Sequence, residues 1–179
     1  MVEPPEAAWI RDLVDAWEGR LTAYARRLLG GDLERARDVV QDTFLRLWQA
    51  DRSAVEEHLP AWLYRVCRNR VIDVQRKDGR MVRTDGTMLA AEVASERREG
   101  VMDAEAGGAL LSAVAGLPPR QQEAVRLRFQ GGLSYEDIAG VMETSKSNVG
   151  VLLHVAMKTL RERLADGPGP AAHGKGGAA

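Results

Sequence analysis

The 179-residue sequence has one cysteine, few aromatic residues and no long apolar run. The single cysteine, Cys67, excludes a disulfide within the chain and is typical of a reducing compartment. No apolar segment approaches the roughly 18 residues of a membrane-spanning helix. Acidic Glu3 and Glu6 lie where a signal peptide would have basic residues. We therefore predict a cytoplasmic chain without membrane insertion.

The sequence also lacks the short motifs that mark common catalytic and cofactor sites. It contains no P-loop, zinc-protease or nucleophile-elbow motif and no C-x-x-C pair. Its three histidines are scattered, and Cys67 lies on an apolar helical stripe without a second ligand. We predict that the chain is not an enzyme and that it holds no cofactor and no metal ion.

Ala, Leu, Arg and Glu dominate the sequence, and no stretch alternates apolar and polar residues as a strand would. This composition favours an all-α fold. Apolar spacing predicts helices near 7–29, 33–50 and 60–77, with Gly30 and Gly31 ending the first helix and Pro60 beginning the third. We predict two small helical domains at 7–80 and 105–165, a flexible acidic linker at 81–104 and a disordered tail at 166–179.

The net charge of −1 hides an uneven distribution of charge along the chain. Residues 60–83 carry seven basic and two acidic side chains, whereas residues 84–116 carry two basic and six acidic ones. Residues 117–165 are again mildly basic. Such asymmetry between segments indicates a nucleic-acid partner.

Residues 133–164 have the pattern of a helix-turn-helix. Leu133, Ile138 and Met142 mark a short amphipathic helix, residues 143–145 break it, and a second helix begins near Lys146. The second helix of such a motif can enter the major groove of DNA. Packing inside a helical bundle produces the same pattern, so the residues alone leave both interpretations open.

Two further helical faces have functional interpretations. The helix at 33–50 places Leu45 on a polar, acidic face, either as a single exposed leucine or as the anchor of a protein-docking surface. The helix at 60–77 presents arginines, an amide and an aromatic ring on one face. These groups suit the binding of single-stranded nucleic acid, but a basic helix face that is only exposed to solvent has the same composition. Arg70 falls on the apolar side of that helix and is predicted to be a structural ion-pair partner, and Cys67 is predicted to be a core residue.

Three sequence blocks resemble the extracytoplasmic-function (group 4) sigma factors of bacterial RNA polymerase, within the sigma-70 family. The blocks read DVVQDTFLRLW at 38–48, AWLYRVCRNRVID at 61–73, and LPPRQQE at 117–123 followed by GLSYEDIA at 132–139. The resemblance covers residues 8–165 in the order and spacing of the family. It implies a sigma region 2 helical bundle, a region 4 helix-turn-helix, and a protein that directs promoter-specific initiation of transcription.

The resemblance also implies partners and site residues. The partners are core RNA polymerase, through its β′ clamp and β subunits, promoter DNA and an anti-sigma factor. The expected polymerase-binding residues are Asp38, Gln41, Asp42, Leu45 and Trp48. The residues expected to recognise the −10 element and hold its melted strand are Trp62, Tyr64, Arg65, Arg68, Asn69, Arg76 and Lys77. The residues expected at the −35 element are Lys146, Ser147, Asn148, Val151, His154 and Lys158.

The second helix of the helix-turn-helix departs from the family pattern. Family members commonly carry arginines near the positions of Gly150, Leu152 and Val155, and these bidentate donors to guanine are missing here. We therefore predict an unusual −35 preference or weak affinity for duplex DNA.

The alternative function is a stand-alone helix-turn-helix regulator that binds duplex DNA. This alternative gives the helical faces at 38–48 and 60–77 no role.

Overall fold

The computed structural model describes residues 5–79 and 104–165 of the chain. Within these ranges it contains eight α-helices and no β-strand, which confirms the all-α prediction. Nearly all of the predicted linker at 81–104, and the whole predicted tail at 166–179, lie outside the described residues. None of the described helices is long and apolar enough to cross a membrane.

The first half of the fold consists of α1 (Pro5–Leu28), α2 (Leu33–Gln49), α3 (Arg52–Val55) and α4 (Leu59–Lys77). Gly30 and Gly31 have φ angles of 69° and 96° and turn the chain between α1 and α2. The Asp32 side chain then caps α2 by accepting a hydrogen bond from the Arg35 backbone N–H at 3.1 Å. The helices α1, α2 and α4 pack together and bury Leu21, Val39, Leu47, Leu63 and Val71.

The connection between α2 and α4 contains more helix than the sequence indicated. Residues 51–59 read as a short polar connection, but they form α3 and a 3-10 turn at Glu56–His58. Asp51 caps α3 by accepting a hydrogen bond from the Ser53 backbone N–H at 2.9 Å. Val55 is buried and anchors the connection to the core.

The second half consists of α5 (Ala104–Ala115), α6 (Pro119–Phe129), α7 (Tyr135–Met142) and α8 (Lys146–Ala165). Pro119 is the first residue of α6, where its missing N–H has no cost. The helices α5, α6 and α7 pack against α8, which buries Val149, Leu153, Ala156 and Leu160. The spacing of Val149, Leu153, Ala156 and Leu160 in the sequence predicts that Leu164 continues the same stripe, but Leu164 is 44% exposed and the buried stripe ends at Leu160.

The two halves of the fold are in direct contact. Helix α4 of the first half packs against α7 of the second. The Cε2 atom of Tyr64 in α4 lies only 3.0 Å from where a Cβ atom on Gly131, after α6, would be. Helix α4 is therefore buried on two sides, one against α1 and α2 and the other against the second half.

Candidate functional site

Helix α2 exposes two large apolar side chains on one face. Leu45 is 54% exposed and Trp48 is 61% exposed, and a spacing of three residues places them side by side. Asp38 and Gln41 are exposed in the preceding turns. An exposed leucine and tryptophan beside polar groups form a surface suited to docking another protein. We call these four residues the α2 surface.

Asp42 belongs to the same helix but has a structural partner. The Arg70 Nε atom donates a hydrogen bond to the Asp42 carboxylate at 2.5 Å, and the side chains are 26% and 37% exposed. The prediction that Arg70 is a structural ion-pair partner is confirmed. Asp42 therefore ties α2 to α4, in addition to any contact that it makes with a protein partner.

Three of the predicted −10 residues lie open on α4. Arg65, Arg76 and Lys77 are exposed, and Arg65 and Arg76, eleven residues apart, share one side of the helix. Trp62 and Asn69 are half-buried, and the Asn69 Oδ1 atom has no hydrogen-bond partner in the described part of the chain. The open part of this face can therefore approach a phosphate backbone.

Tyr64 and Arg68 do not lie open as the sequence predicted. Tyr64 is 4% exposed, and its ring meets those of Trp17 and Tyr24 edge-on at centroid distances of 6.0 and 5.1 Å. The Arg68 side chain is 11% exposed. The helical wheel placed both residues opposite the apolar stripe, but the second half of the fold covers that part of α4.

Glu123 of α6 is the residue that joins the covered face to the second half. Its Oε1 atom accepts a hydrogen bond from the Tyr24 hydroxyl at 2.8 Å and another from the Arg68 Nε atom at 2.9 Å. Glu123 is 8% exposed, and a second nitrogen of the Arg68 guanidinium, Nη1, has no hydrogen-bond partner among the residues that the structure describes. Burial, followed by the Glu123 carboxylate, raises the pKa of Tyr24 well above its ordinary value, so the hydroxyl keeps its proton as a donor.

Sequence reasoning missed Tyr24 and Glu123 as members of this cluster. The available signal was the position of Glu123, which directly precedes buried Ala124 and Val125 on α6. A carboxylate in a buried stretch needs a cationic or hydrogen-bonding partner. Local periodicity does not reveal which distant residue provides it.

A small cleft beside Glu123 is lined by cationic and other polar side chains. Its lining residues are Arg20, Ala23, Tyr24, Arg27, Tyr64, Arg126 and Gln130. Arg126 is 7% exposed, and burial, followed by the guanidinium of Arg27, lowers its pKa to about 10. Arg27 belongs to α1 and Arg126 to α6, so the cleft brings two cationic side chains together where the halves meet.

The helix-turn-helix is formed by α7 and α8, as the sequence predicted. The Ser134 side chain accepts a hydrogen bond from the Asp137 backbone N–H at 3.1 Å, and Asp137 accepts one from the Ser134 N–H at 3.2 Å. This capping box fixes the start of α7. Glu143 ends α7 with a positive φ of 51°, and α8 begins at Lys146.

The outward face of α8 offers few groups for reading base pairs. Val151 is 60% exposed, and Ser147, His154 and Lys158 are also exposed. The Asn148 amide donates a hydrogen bond to the Thr144 hydroxyl at 2.8 Å. The Lys146 ammonium pairs with Glu136 at 2.9 Å. Lys158 also pairs with Glu162 at 4.0 Å, so three of the six predicted −35 residues are already engaged within the motif.

Cys67 is fully buried in the first half, as predicted. Burial raises the pKa of its thiol to about 12, while a hydrogen bond with the Thr43 side chain acts in the opposite direction. Such a thiol is unreactive at neutral pH. Among residues 5–79 and 104–165, no group of three His, Cys, Asp or Glu side chains is placed to hold a metal ion.

Comparison with known proteins matches both halves of this architecture. The family model described as sigma-70 region 2 matches residues 13–81, and the model described as sigma-70 region 4 matches residues 107–160. The first match contains the α2 surface and the exposed −10 residues of α4 (Arg65, Arg76 and Lys77), which we call the α4 face, and the second contains the helix-turn-helix. A stand-alone helix-turn-helix regulator leaves the region 2 match without explanation and is not favoured.

Several similar proteins are described as ECF RNA polymerase sigma factors. The ECF RNA polymerase sigma factor SigL of Mycobacterium tuberculosis is 31% identical over 159 residues, which cover 87% of this chain and 89% of SigL. The ECF RNA polymerase sigma factor BldN of Streptomyces coelicolor is 34% identical over 158 residues, which cover 86% of this chain. The matched part is 60% of the length of BldN.

A solved structure has a similar arrangement of helices. It contains the sigma factor RpoE from Bartonella quintana in complex with the anti-sigma factor NepR. The match has a TM-score of 0.61 and 27% sequence identity, and it covers 88% of this chain and 98% of RpoE. Because both regions match in order, and SigL matches over most of its length, this chain belongs to the sigma-70 family as an extracytoplasmic-function RNA polymerase sigma factor, a protein that directs transcription.

Proposed function

We propose that this sigma factor binds core RNA polymerase through the α2 surface and Asp42 and directs initiation at specific promoters. The observation that carries the proposal is the exposure of Leu45 and Trp48, at 54% and 61%, on a helix whose opposite face is buried. Exposing two large apolar groups on one face is costly for a free chain, and a protein partner removes that cost. The β′ clamp, with the β subunit, is the proposed partner, by resemblance to the family.

The α4 face is the proposed site for the melted −10 strand. Arg65, Arg76 and Lys77 attract phosphates, and the half-buried Trp62 offers a ring on which an unpaired base stacks, whereas the Tyr64 ring is covered in this structure. Asn69 supplies an amide for a base edge, and Arg68 adds a guanidinium once it is released from Glu123. Base stacking contributes about 1–3 kcal/mol per base, which offsets the few kcal/mol that unstacking a base costs. The proposal assigns no bond-making chemistry to this chain.

The α8 face is the proposed −35 site, and we expect its affinity for duplex DNA to be low. Lys146, His154 and Lys158 approach the backbone, and Val151 contacts a thymine methyl group. Ser147 and Asn148 are the polar groups nearest to the base edges. Without an arginine that forms paired hydrogen bonds to guanine, this face gives little discrimination between sequences.

An anti-sigma factor is the proposed regulator, and the cytoplasm is the proposed compartment. RpoE, which resembles this chain in fold, was solved with its anti-sigma factor NepR. An inhibitor of this kind would cover the exposed apolar groups of the α2 surface.

A pull-down with purified bacterial core RNA polymerase tests the proposed function. The tagged full chain is expected to retain core polymerase at moderate salt. The Trp48→Ala variant is expected to retain much less, whereas the Leu111→Ala variant, which changes an exposed leucine on α5, is expected to match the original chain. Absence of retention by the original chain at moderate salt would contradict the proposal.

A further inference from the structure

Arg126 is a buried cation, and no carboxylate in the described part of the chain is paired with it. It is 7% exposed, and burial, followed by the guanidinium of Arg27, lowers its pKa to about 10, so it stays charged at neutral pH. Within residues 5–79 and 104–165 its guanidinium also forms no hydrogen bond. Arginine is almost never buried in proteins without a partner. The side chain therefore has an unused capacity to bind an anion.

Tyr64 brings a second unused donor to the same cleft. It is 4% exposed, and its ring packs edge-on against two other rings. Its hydroxyl has no hydrogen-bond partner among the residues that the structure describes. Burial raises the pKa of this hydroxyl, whereas the nearby guanidinium of Arg20 acts in the opposite direction. The hydroxyl keeps its proton at neutral pH and is available as a donor.

The lining of the cleft is positively charged. Arg20 and Arg27 of α1 and Arg126 of α6 all contribute to it, and none of the described lining residues is acidic. The Glu123 carboxylate, which accepts the hydrogen bond from Tyr24, is already paired with a cation on α4. Three cationic side chains around one cleft raise the local concentration of anions.

The size of the cleft limits what can enter it. Its volume is about 20 Å³, close to what one water molecule needs. Arg20, Arg27 and Gln130 are exposed, so the mouth of the cleft is open to solvent. The end of an oxoanion can therefore enter while the rest of the ligand stays outside. A phosphodiester within a nucleic-acid strand is esterified on two sides and has no such end, whereas a terminal phosphate has three free oxygens.

We propose that this cleft binds the terminal phosphate of a small ligand of the pyrophosphate class. Arg126 pairs with the phosphate oxygens, the Tyr64 hydroxyl donates a further hydrogen bond, and Arg20 and Arg27 add positive charge. Inorganic pyrophosphate and the phosphate chain of a nucleotide share this chemistry and are the two sources. The site goes beyond the proposed binding of polymerase and DNA and does not depend on it.

The test is isothermal titration calorimetry of the full chain with inorganic pyrophosphate, at constant ionic strength in chloride and without divalent cations. The original chain is expected to show one saturable site. The Arg126→Gln variant is expected to bind at least about tenfold more weakly, because it loses the buried guanidinium that pairs with the phosphate. Arg46→Gln removes the same charge from an exposed position on α2 and is expected to stay within about twofold of the original.

A parallel titration with ATP distinguishes the two sources of the phosphate. Tighter binding of ATP than of pyrophosphate, with the same dependence on Arg126, supports a nucleotide as the ligand. Tighter binding of pyrophosphate supports pyrophosphate itself. The absence of a saturable site for both ligands would overturn the proposal.

Thermal unfolding separates a binding role of Arg126 from a structural one. Because an unpaired buried charge lowers stability, Arg126→Gln in chloride is expected to melt at a temperature no lower than that of the original chain. Pyrophosphate is expected to raise the melting temperature of the original chain but not that of the variant, since a ligand that binds the folded state stabilises it. A variant that melts lower in chloride and binds pyrophosphate as the original does would show that Arg126 is structural only.

The remaining outcomes also decide the proposal. Equal pyrophosphate affinities of the original chain, Arg126→Gln and Arg46→Gln would show a general effect of charge and overturn the site. If Arg126→Gln weakens only the binding of a single-stranded oligonucleotide without a terminal phosphate, the cleft belongs to a nucleic-acid backbone and the proposal is wrong. Tyr64→Phe keeps the ring and removes one hydroxyl, so it decides if Arg126→Gln does not fold. Weaker pyrophosphate binding by Tyr64→Phe supports the site, and unchanged binding contradicts it.

Discussion

Arg70 and Asp42 form an ion pair between α4 and α2, the helix that carries the α2 surface. The pair ties the helix that exposes Leu45 and Trp48 to α4. Because both side chains are partly buried, removal of one partner leaves the other charge unpaired and is expected to destabilise the fold. It connects the proposed polymerase-binding helix to the proposed strand-binding helix.

The Asp42→Asn variant is expected to lower the free energy of unfolding by about 1 kcal/mol, since it removes a partly buried charged contact. Urea unfolding followed by circular dichroism measures this change. Asp38→Asn, at an exposed position on the same helix, is the matched control and is expected to leave stability unchanged. Equal stabilities of the two variants would show that the Arg70–Asp42 pair has no structural role.

The Leu45→Ala and Trp48→Ala variants are expected to weaken binding to core polymerase at least tenfold, or about 1.4 kcal/mol, as anchor residues of an interface do. Their stability is expected to stay within about 0.5 kcal/mol of the original, because both side chains are mostly exposed. Biosensor titration with core polymerase measures the affinity. Unchanged affinity in both variants, with Leu111→Ala as the reference, would remove the α2 surface from the binding site.

The Arg65→Ala and Arg76→Ala variants are expected to weaken binding of a single-stranded oligonucleotide. Each is expected to reduce the slope of log K against log salt by about 0.7, the value for one phosphate contact on a single strand. Arg37→Ala, on the exposed side of α2, provides the control because it removes the same charge elsewhere. A salt slope that falls equally in all three variants would indicate a general charge effect instead of contacts by α4.

The Ser134→Ala variant is expected to destabilise the helix-turn-helix by about 1 kcal/mol, because it removes the cap of α7. The melting temperature is expected to fall by roughly 2–4 °C for a chain of this size. Ser147→Ala, at an exposed position in the first turn of α8, serves as the control for stability. A melting temperature equal to that of the control would contradict the capping role.

The buried thiol of Cys67 predicts a loss of stability at alkaline pH. Its pKa is raised to about 12 in the folded chain, so the contribution is fully present below the ordinary thiol value of about 8.5 and is lost as pH rises toward 12. The native chain is expected to react very slowly with a thiol reagent at pH 8 and rapidly in denaturant. In the Cys67→Ala variant, the free energy of unfolding is expected to fall less steeply as the pH rises above about 9. Rapid modification of the native chain would contradict the burial of this thiol.

The helices were predictable because their limits are set by nearby residues. Gly30 and Gly31 end α1, Pro119 begins α6, and residues 143–145 separate α7 from α8. The ion-pairing role of Arg70 was also predictable, since a cation on the apolar side of a helix requires a local partner. These features depend on spacing within a helix, which the sequence contains directly.

The covering of part of α4 was not predictable from the same patterns. Arg68 and Glu123 are 55 residues apart, and a helical wheel shows only which residues of one helix share a face. It placed Tyr64 and Arg68 on the polar side, whereas α4 is buried on two sides by two different sets of helices. A contact between separate helical units depends on their full surfaces and therefore appears only in the folded structure.

Runoff transcription by purified core polymerase on a library of random promoters tests the central claim most directly. With the sigma factor present, transcripts are expected to start downstream of a shared set of sequences that core polymerase alone does not use. The Trp48→Ala variant is expected to lose these transcripts in proportion to its weaker binding. Start sites identical to those of core polymerase alone, at a concentration where the chain is bound to core, would contradict the claim that it selects promoters.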